Sequence, residues 1–166
     1  MTGPWRDASG DRLAVLYDRF AGTLFRHAAM ILADRAAAAD VVHTVFLKLA
    51  KAGSGGDVES LAYLRRGVRN ECYSVLRTRR REIVIAVAAP LLESVQAADD
   101  RPAERLALEQ ALQQLSAEQR EVVHLKVWEG MTFQEIADLT GESLNTAASR
   151  YRYAIEHLRN VLSEKV

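Results

Sequence analysis

A single cysteine, Cys72, leaves nothing for an intrachain disulfide to pair with and suits a reducing compartment. Long apolar runs are also missing. None approaches the ~20 residues needed to cross a bilayer, and the N-terminus lacks the charged-then-apolar order of a signal peptide. A cytoplasmic protein with no membrane partner is expected. Four histidines, His27, His43, His124 and His157, are scattered without ligand partners at metal spacing, so no zinc site is expected. No nucleophile–base arrangement and no phosphate-cradling glycine loop is evident. Neither an enzyme nor a cofactor is expected. Cys72 itself falls on an apolar stripe and reads as core.

The 166 residues suffice for one ordinary domain or two small ones. Their net charge is zero, but the sum conceals an asymmetry. From Ser60 to Arg81 there are seven arginines against one acid, Glu71. From Glu82 to Glu104 there are five acids against one base, Arg101. A polyanion meets the local field and not the total, so the basic block points to nucleic acid.

Apolar spacing reads as helix almost throughout. Leu13, Leu16, Tyr17, Phe20, Leu24 and Ile31 form a first stripe, and Val41, Val42, Val45, Phe46 and Leu49 a second. Leu61, Leu64, Val68, Cys72 and Val75 form a third. The glycine-rich segment 51–57 between the last two reads as a loop. Residues 82–103 hold Pro90, Pro102 and an apolar stretch, Ile83 to Ala89, that fits strand or helix; the whole reads as a solvated linker. Beyond it, Leu106, Leu112 and Leu115 line one helix. Ser116 to Gln119 is a capping box opening the next, which carries Val122, Val123, Leu125 and Val127 and stops at Gly130. Thr132 to Glu135 is a second capping box, and Gly141 turns the chain into a final helix from about Asn145 to Leu162. Ala148, Tyr151, Ile155, Leu158 and Leu162 are expected on the buried face of that helix. The fold class is all-α: two small helical domains, 10–82 and 104–166, joined by a linker at 83–103.

A short helix, a tight glycine turn and a longer helix make a helix-turn-helix. In such a unit the second helix enters the major groove with its N-terminal residues on base edges. Here those are Asn145, Thr146, Ser149, Arg150, Arg152 and Tyr153. Arginine pairs bidentately with guanine or neutralises phosphate. The competing interpretation is a helical hairpin with a solvated basic face. Three stretches resemble the promoter-binding C-terminal domain of extracytoplasmic-function (ECF) sigma factors: Leu115 to Val123, Gly130 to Ala137, and Asn145 to Ala154. The resemblance implies recognition of the −35 promoter element. Ala148 departs from it, since many members carry lysine there.

The basic helix combines Tyr63, Arg66, Arg69, Asn70, Tyr73, Arg77, Arg79, Arg80 and Arg81. Arginines attract phosphates, and tyrosines stack on exposed bases. Arginines also favour helix C-termini through the dipole, the plainer explanation of the terminal cluster. ECF sigma factors use the corresponding helix to melt the −10 element, and Arg69-Asn70 with the terminal cluster matches them. Gly67 and Glu71 stand at usually apolar places, so local weakness of this helix is expected.

The preceding helix, 34–51, is similar to the family's polymerase-docking surface, implying roles for Asp40, His43, Thr44, Phe46, Leu47 and Lys48. Relatives carry more acids here. This chain has Ala37, Ala39 and His43-Thr44 where acids or Gln-Glu are usual. Thr44 stands in place of a glutamate, and phosphorylation there would add roughly 1.5 to 2 negative charges. A Ser/Thr kinase switch is one expectation; an ordinary helix threonine is the other. The resemblance implies a sigma factor whose partners are core RNA polymerase, promoter DNA and, in some settings, an anti-sigma factor, with the linker near the polymerase active-site path. Two alternatives remain at this level: a stand-alone helix-turn-helix regulator, and a degenerate sigma factor that titrates an anti-sigma partner.

Overall fold

The structure, a computed structural model, describes residues 8–52, 60–81 and 101–163. These residues form helices only: α1 (Ala8–Leu32), α2 (Arg35–Ala52), α3 (Leu61–Arg81), α4 (Pro102–Gln113), α5 (Ala117–Val127), α6 (Phe133–Thr140) and α7 (Leu144–Ser163). They fall into two compact units, one built on α1–α3 and the other on α4–α7. The stretch Ile83 to Ala89, Pro90 and the glycines at 53–56 lie outside the described residues.

In the first unit α1 packs along α3. The middle of the third apolar stripe is buried as spaced, with Leu64, Val68 and Cys72 at 0% exposure, while Leu61 and Val75 at its ends are partly buried. Leu24 and Ile31 meet the same core. Full burial of such side chains contributes about 1.5–3 kcal/mol each. The first stripe is only half right: Tyr17 is 44% exposed, because the early turns of α1 run past the core that covers the later ones. All five apolar residues of the α2 stripe are buried. The Tyr17 ring meets Phe46 edge-on at 5.0 Å, tying α1 to α2. Lys51 and Ala52, expected in the loop, are the last residues of α2.

Gly67 lies mid-helix in α3, where glycine costs about 1 kcal/mol relative to alanine. A Cβ added there would meet Val45 Cγ1 at 3.4 Å, an ordinary contact. Gly67→Ala should therefore stabilise the first unit by up to about 1 kcal/mol in chemical denaturation. A loss of stability would show that α2 and α3 need the glycine's close approach.

In the second unit α7 packs against α4, α5 and α6, and α5 against α6. Pro102, read from sequence as a linker proline, is the first residue of α4. A first-turn proline sacrifices only an N–H that the helix leaves unpaired, and its fixed φ suits the position. Leu106 is 56% exposed and Val127 53%, against expectation; α4 buries Glu109, Ala111 and Leu112 instead. Both capping boxes form. Ser116 Oγ accepts from Gln119 N at 3.2 Å and Thr132 Oγ1 from Glu135 N at 3.2 Å, each reciprocated by the Gln or Glu side chain. The Thr132 backbone N–H and hydroxyl hold the Glu135 carboxyl below its ordinary range.

The helix-turn-helix core is Val122, Leu125, Ile136 and Ala147, flanked by Met131, Phe133, Leu139 and Tyr151. Gly130 (φ +66°) and Gly141 (φ +74°) take the left-handed conformation that ends α5 and α6. The buried spine of α7 is Ala147, Ala154 and Leu158, one residue out of phase with the expected Ala148 start. Tyr151, Ile155 and Leu162 are half-buried beside it.

Candidate nucleic-acid interface

Thr132 caps α6 and Gly141 ends it, so the turn into α7 is only three residues long. The Gly141 and Glu142 N–H groups donate to the Ala137 carbonyl at 2.9 and 3.2 Å. Ser143 Oγ accepts from the Thr146 N–H at 3.1 Å and caps α7. These bonds fix the start of α7 from both sides.

Five of the six sequence-predicted residues on α7 carry exposed or partly exposed side chains that no cap uses. Asn145, Arg152 and Tyr153 are exposed, and Ser149 and Arg150 partly so. Thr146 differs: its hydroxyl lies 2.9 Å from Ser143 Oγ, inside the cap. Ser149 Oγ donates to the Asn145 carbonyl at 2.7 Å, which leaves its oxygen lone pairs available as acceptors. The Arg152 guanidinium lies over the Tyr153 ring at 5.0 Å. Arg150 is not free on the outer face. Its Nη2 is 3.0 Å from Glu142 Oε1, a partner the sequence reading missed.

On α3 the helical period sorts the predicted residues into two sets. Tyr63, Arg66, Asn70, Tyr73, Arg77, Arg80 and Arg81 share one side of the helix, opposite Leu64, Val68 and Cys72. Tyr63 is 50% exposed, and Arg66, Asn70, Arg77, Arg80 and Arg81 are exposed. The Arg69 guanidinium stacks over Tyr73 at 4.6 Å, joining a cation to an aromatic face. Arg79 falls four residues past Val75, in line with the buried stripe, and is partly buried.

On α2, Asp40, His43, Leu47 and Lys48 are exposed, Thr44 is partly buried and Phe46 is core. Leu13, Tyr17, His43, Phe46 and Leu47 line an apolar groove of about 440 Å³ between α1 and α2. Lys48 Nζ bonds Glu71 Oε2 on α3, so the acid that seemed misplaced in a basic helix neutralises a lysine of the neighbouring one. Among the described residues no group of three or more His, Cys, Asp and Glu is placed to hold a metal ion. No described helix is long and apolar enough to cross a membrane.

A helix-turn-helix in one unit and an arginine-lined helix in the other define a two-unit, all-helical DNA-binding protein. Sequence profiles for sigma-70 region 2 and sigma-70 region 4 match residues 16–82 and 105–158. The chain is 31% identical to the ECF RNA polymerase sigma factor SigL of Mycobacterium tuberculosis, over 92% of its own length and 89% of that relative. It is also 31% identical to the RNA polymerase sigma factor CarQ of Myxococcus xanthus, over 96% and 94%. The chain belongs to the sigma-70 family and, within it, to the ECF sigma factors, which are non-enzymatic initiators of promoter-specific transcription. Its fold matches that of the sigma factor RpoE in a complex with the anti-sigma factor NepR from Bartonella quintana, with a TM-score of 0.67 at 23% identity, covering 93% of this chain and 96% of that one.

Proposed function

We propose that this sigma factor divides its work between the two units. The first, residues 10–82, docks on core RNA polymerase through α2 and opens the −10 element with the outer side of α3. The second, which begins with α4 at Pro102, holds the −35 duplex with α7, and the segment between α3 and α4 tethers them. The observation that carries this reading is the presence of an arginine-rich helix side on α3 and a polar, arginine-bearing recognition helix α7, in two units of one chain. Each face alone binds weakly. Held together by the polymerase, they gain affinity through effective concentration. Core polymerase and promoter DNA are thus its working partners, in the cytoplasm, and an anti-sigma factor fits the same surfaces.

Docking is conditional in this reading. Asp40 is the one acid in α2. Thr44 lies one turn beyond it and Lys48 one turn further, so a phosphate on Thr44 would extend the negative charge of Asp40 along the helix. A Ser/Thr kinase would then supply the charge that α2 lacks. The same shortage of acid favours a second reading, a factor that occupies an anti-sigma partner without initiating transcription.

Core polymerase affinity of the wild type and of Thr44→Glu separates these. At least a tenfold gain is expected for Thr44→Glu, about 1.4 kcal/mol. Equal affinities would remove the switch, and failure of both to bind would favour the titrating reading.

A further inference from the structure

We propose that Glu142 is a positioning residue for sequence readout: by holding Arg150 it turns a cation that would seek phosphate into one that reads a base. This rests on the reading that α7 binds duplex promoter DNA. Arg150 does not share the outer side of α7 with Asn145, Ser149 and Arg152. It lies three residues after Ala147 and four before Ala154, on the flank of the buried spine. Side chains on a helix lean toward its N-terminus. That direction carries the guanidinium back over the turn, where Nη2 meets Glu142 Oε1 at 3.0 Å.

The carboxylate stands on unusually well-fixed backbone. The Glu142 N–H is bonded to the Ala137 carbonyl, and the next residue, Ser143, is the cap of α7. The start of α7 and the end of α6 therefore both define where the carboxylate sits. Helix polarity supports the arrangement. A carboxylate is favoured at the positive start of α7, and a guanidinium at the negative end of α6. Arg150 and Glu142 side chains are 29% and 33% exposed, so the pair is partly screened by solvent and contributes modestly to the fold. Its consequence is for the ligand.

An arginine free to swing at a helix edge takes the nearest phosphate, which adds attraction without sequence information. Glu142 changes this in two ways. It cancels the net charge of Arg150, so the residue adds little to the long-range pull on DNA. It also keeps the guanidinium close to the turn through one Nη2–carboxylate contact, and leaves further N–H groups for the bidentate geometry that recognises guanine O6 and N7. A carboxylate at the mouth of the recognition helix, moreover, repels phosphates of a duplex bound in the wrong register.

The test uses holoenzyme assembled from the full chain and core polymerase. One duplex is selected from a random library by the wild-type holoenzyme, and a second has its upstream block scrambled. Glu142→Ala is expected to steepen the salt dependence of binding by up to about 0.9, one phosphate's worth. It should also cut discrimination between the two duplexes by about fivefold or more, the low end of what one bidentate arginine–guanine pair supplies. In an Arg150→Ala background, Glu142→Ala should leave the discrimination ratio unchanged. A merely structural role for Glu142 would lower the melting temperature and move neither quantity. An unaltered ratio in Glu142→Ala, or an equal loss with and without Arg150, overturns the proposal while leaving duplex recognition by α7 intact. A wild-type holoenzyme that binds both duplexes equally overturns that reading and this proposal together.

Discussion

Replacing Arg77, Arg80 and Arg81 together with glutamine should abolish promoter opening while sparing the fold. All three are exposed on the side of α3 that faces away from Leu64, Val68 and Cys72, and none supports the core. Each arginine that neutralises one phosphate contributes roughly 0.7 to the salt slope on single-stranded DNA and 0.9 on duplex. Loss of three should flatten the slope by roughly 2 to 3. Stacking by Tyr63 or Tyr73 would remain, but at about 1–3 kcal/mol per base it biases strand separation without driving it. Permanganate reactivity at the −10 thymines should vanish, and core binding should persist because α2, the proposed docking helix, is untouched. Arg79→Gln is the internal control. Arg79 lies in line with the buried stripe, so its loss should lower stability more than it changes the slope. Retention of the full slope by the triple variant would show that DNA does not follow this side of α3.

Ile136→Ala should strongly destabilise the second unit, which carries the helix-turn-helix. The helix α6 has eight residues and buries only Ile136 and Ala137. A helix this short has no independent stability in water. What holds it is Ile136, at 0% exposure, set against Val122, Leu125 and Ala147. Removing three carbons from such a site costs about 2–5 kcal/mol. Total stability for a small domain is of order 5–15 kcal/mol, and a unit this size falls toward the lower end. The melting temperature of the second unit should fall on the order of 10–30 °C. Affinity for a duplex carrying the upstream element should fall with it, while core binding through the first unit stays near wild type. A small shift would mean that α6 is held chiefly by its capping box.

The fold was legible where local chemistry is strong. Both capping boxes are complete sequence signatures, and each opens a helix at the stated residue. The glycine at 141 could be placed because a left-handed turn leaves few other choices. The stripes of α2 and α3 were readable because one side of each helix packs along its length. Legibility failed where tertiary context decides. Leu106 and Val127 fit a helical period yet are exposed, while Glu109, Arg120, Glu121 and His124 are buried. A period alone does not say which side of a helix is covered when several helices compete for it. Pro102 was misread because proline breaks a helix interior but begins a helix well.

The candidate site shows the same division. Residue type and spacing were enough to pick out the arginines. Their partners lie across turns and between helices, as with Glu142 for Arg150 and Glu71 for Lys48. The helical period also separates Arg79 from Arg80, although in sequence they look equivalent.

Run-off transcription by purified core polymerase, with and without the full chain and its Thr44→Glu form, is the most direct test of one factor holding DNA at two places. The account requires a transcript of single length that appears only when the chain is added, and that is lost when either the Arg77/Arg80/Arg81 set or Ile136 is replaced. Core complexes that form normally but start no transcript from any template, in either form of Thr44, would contradict it.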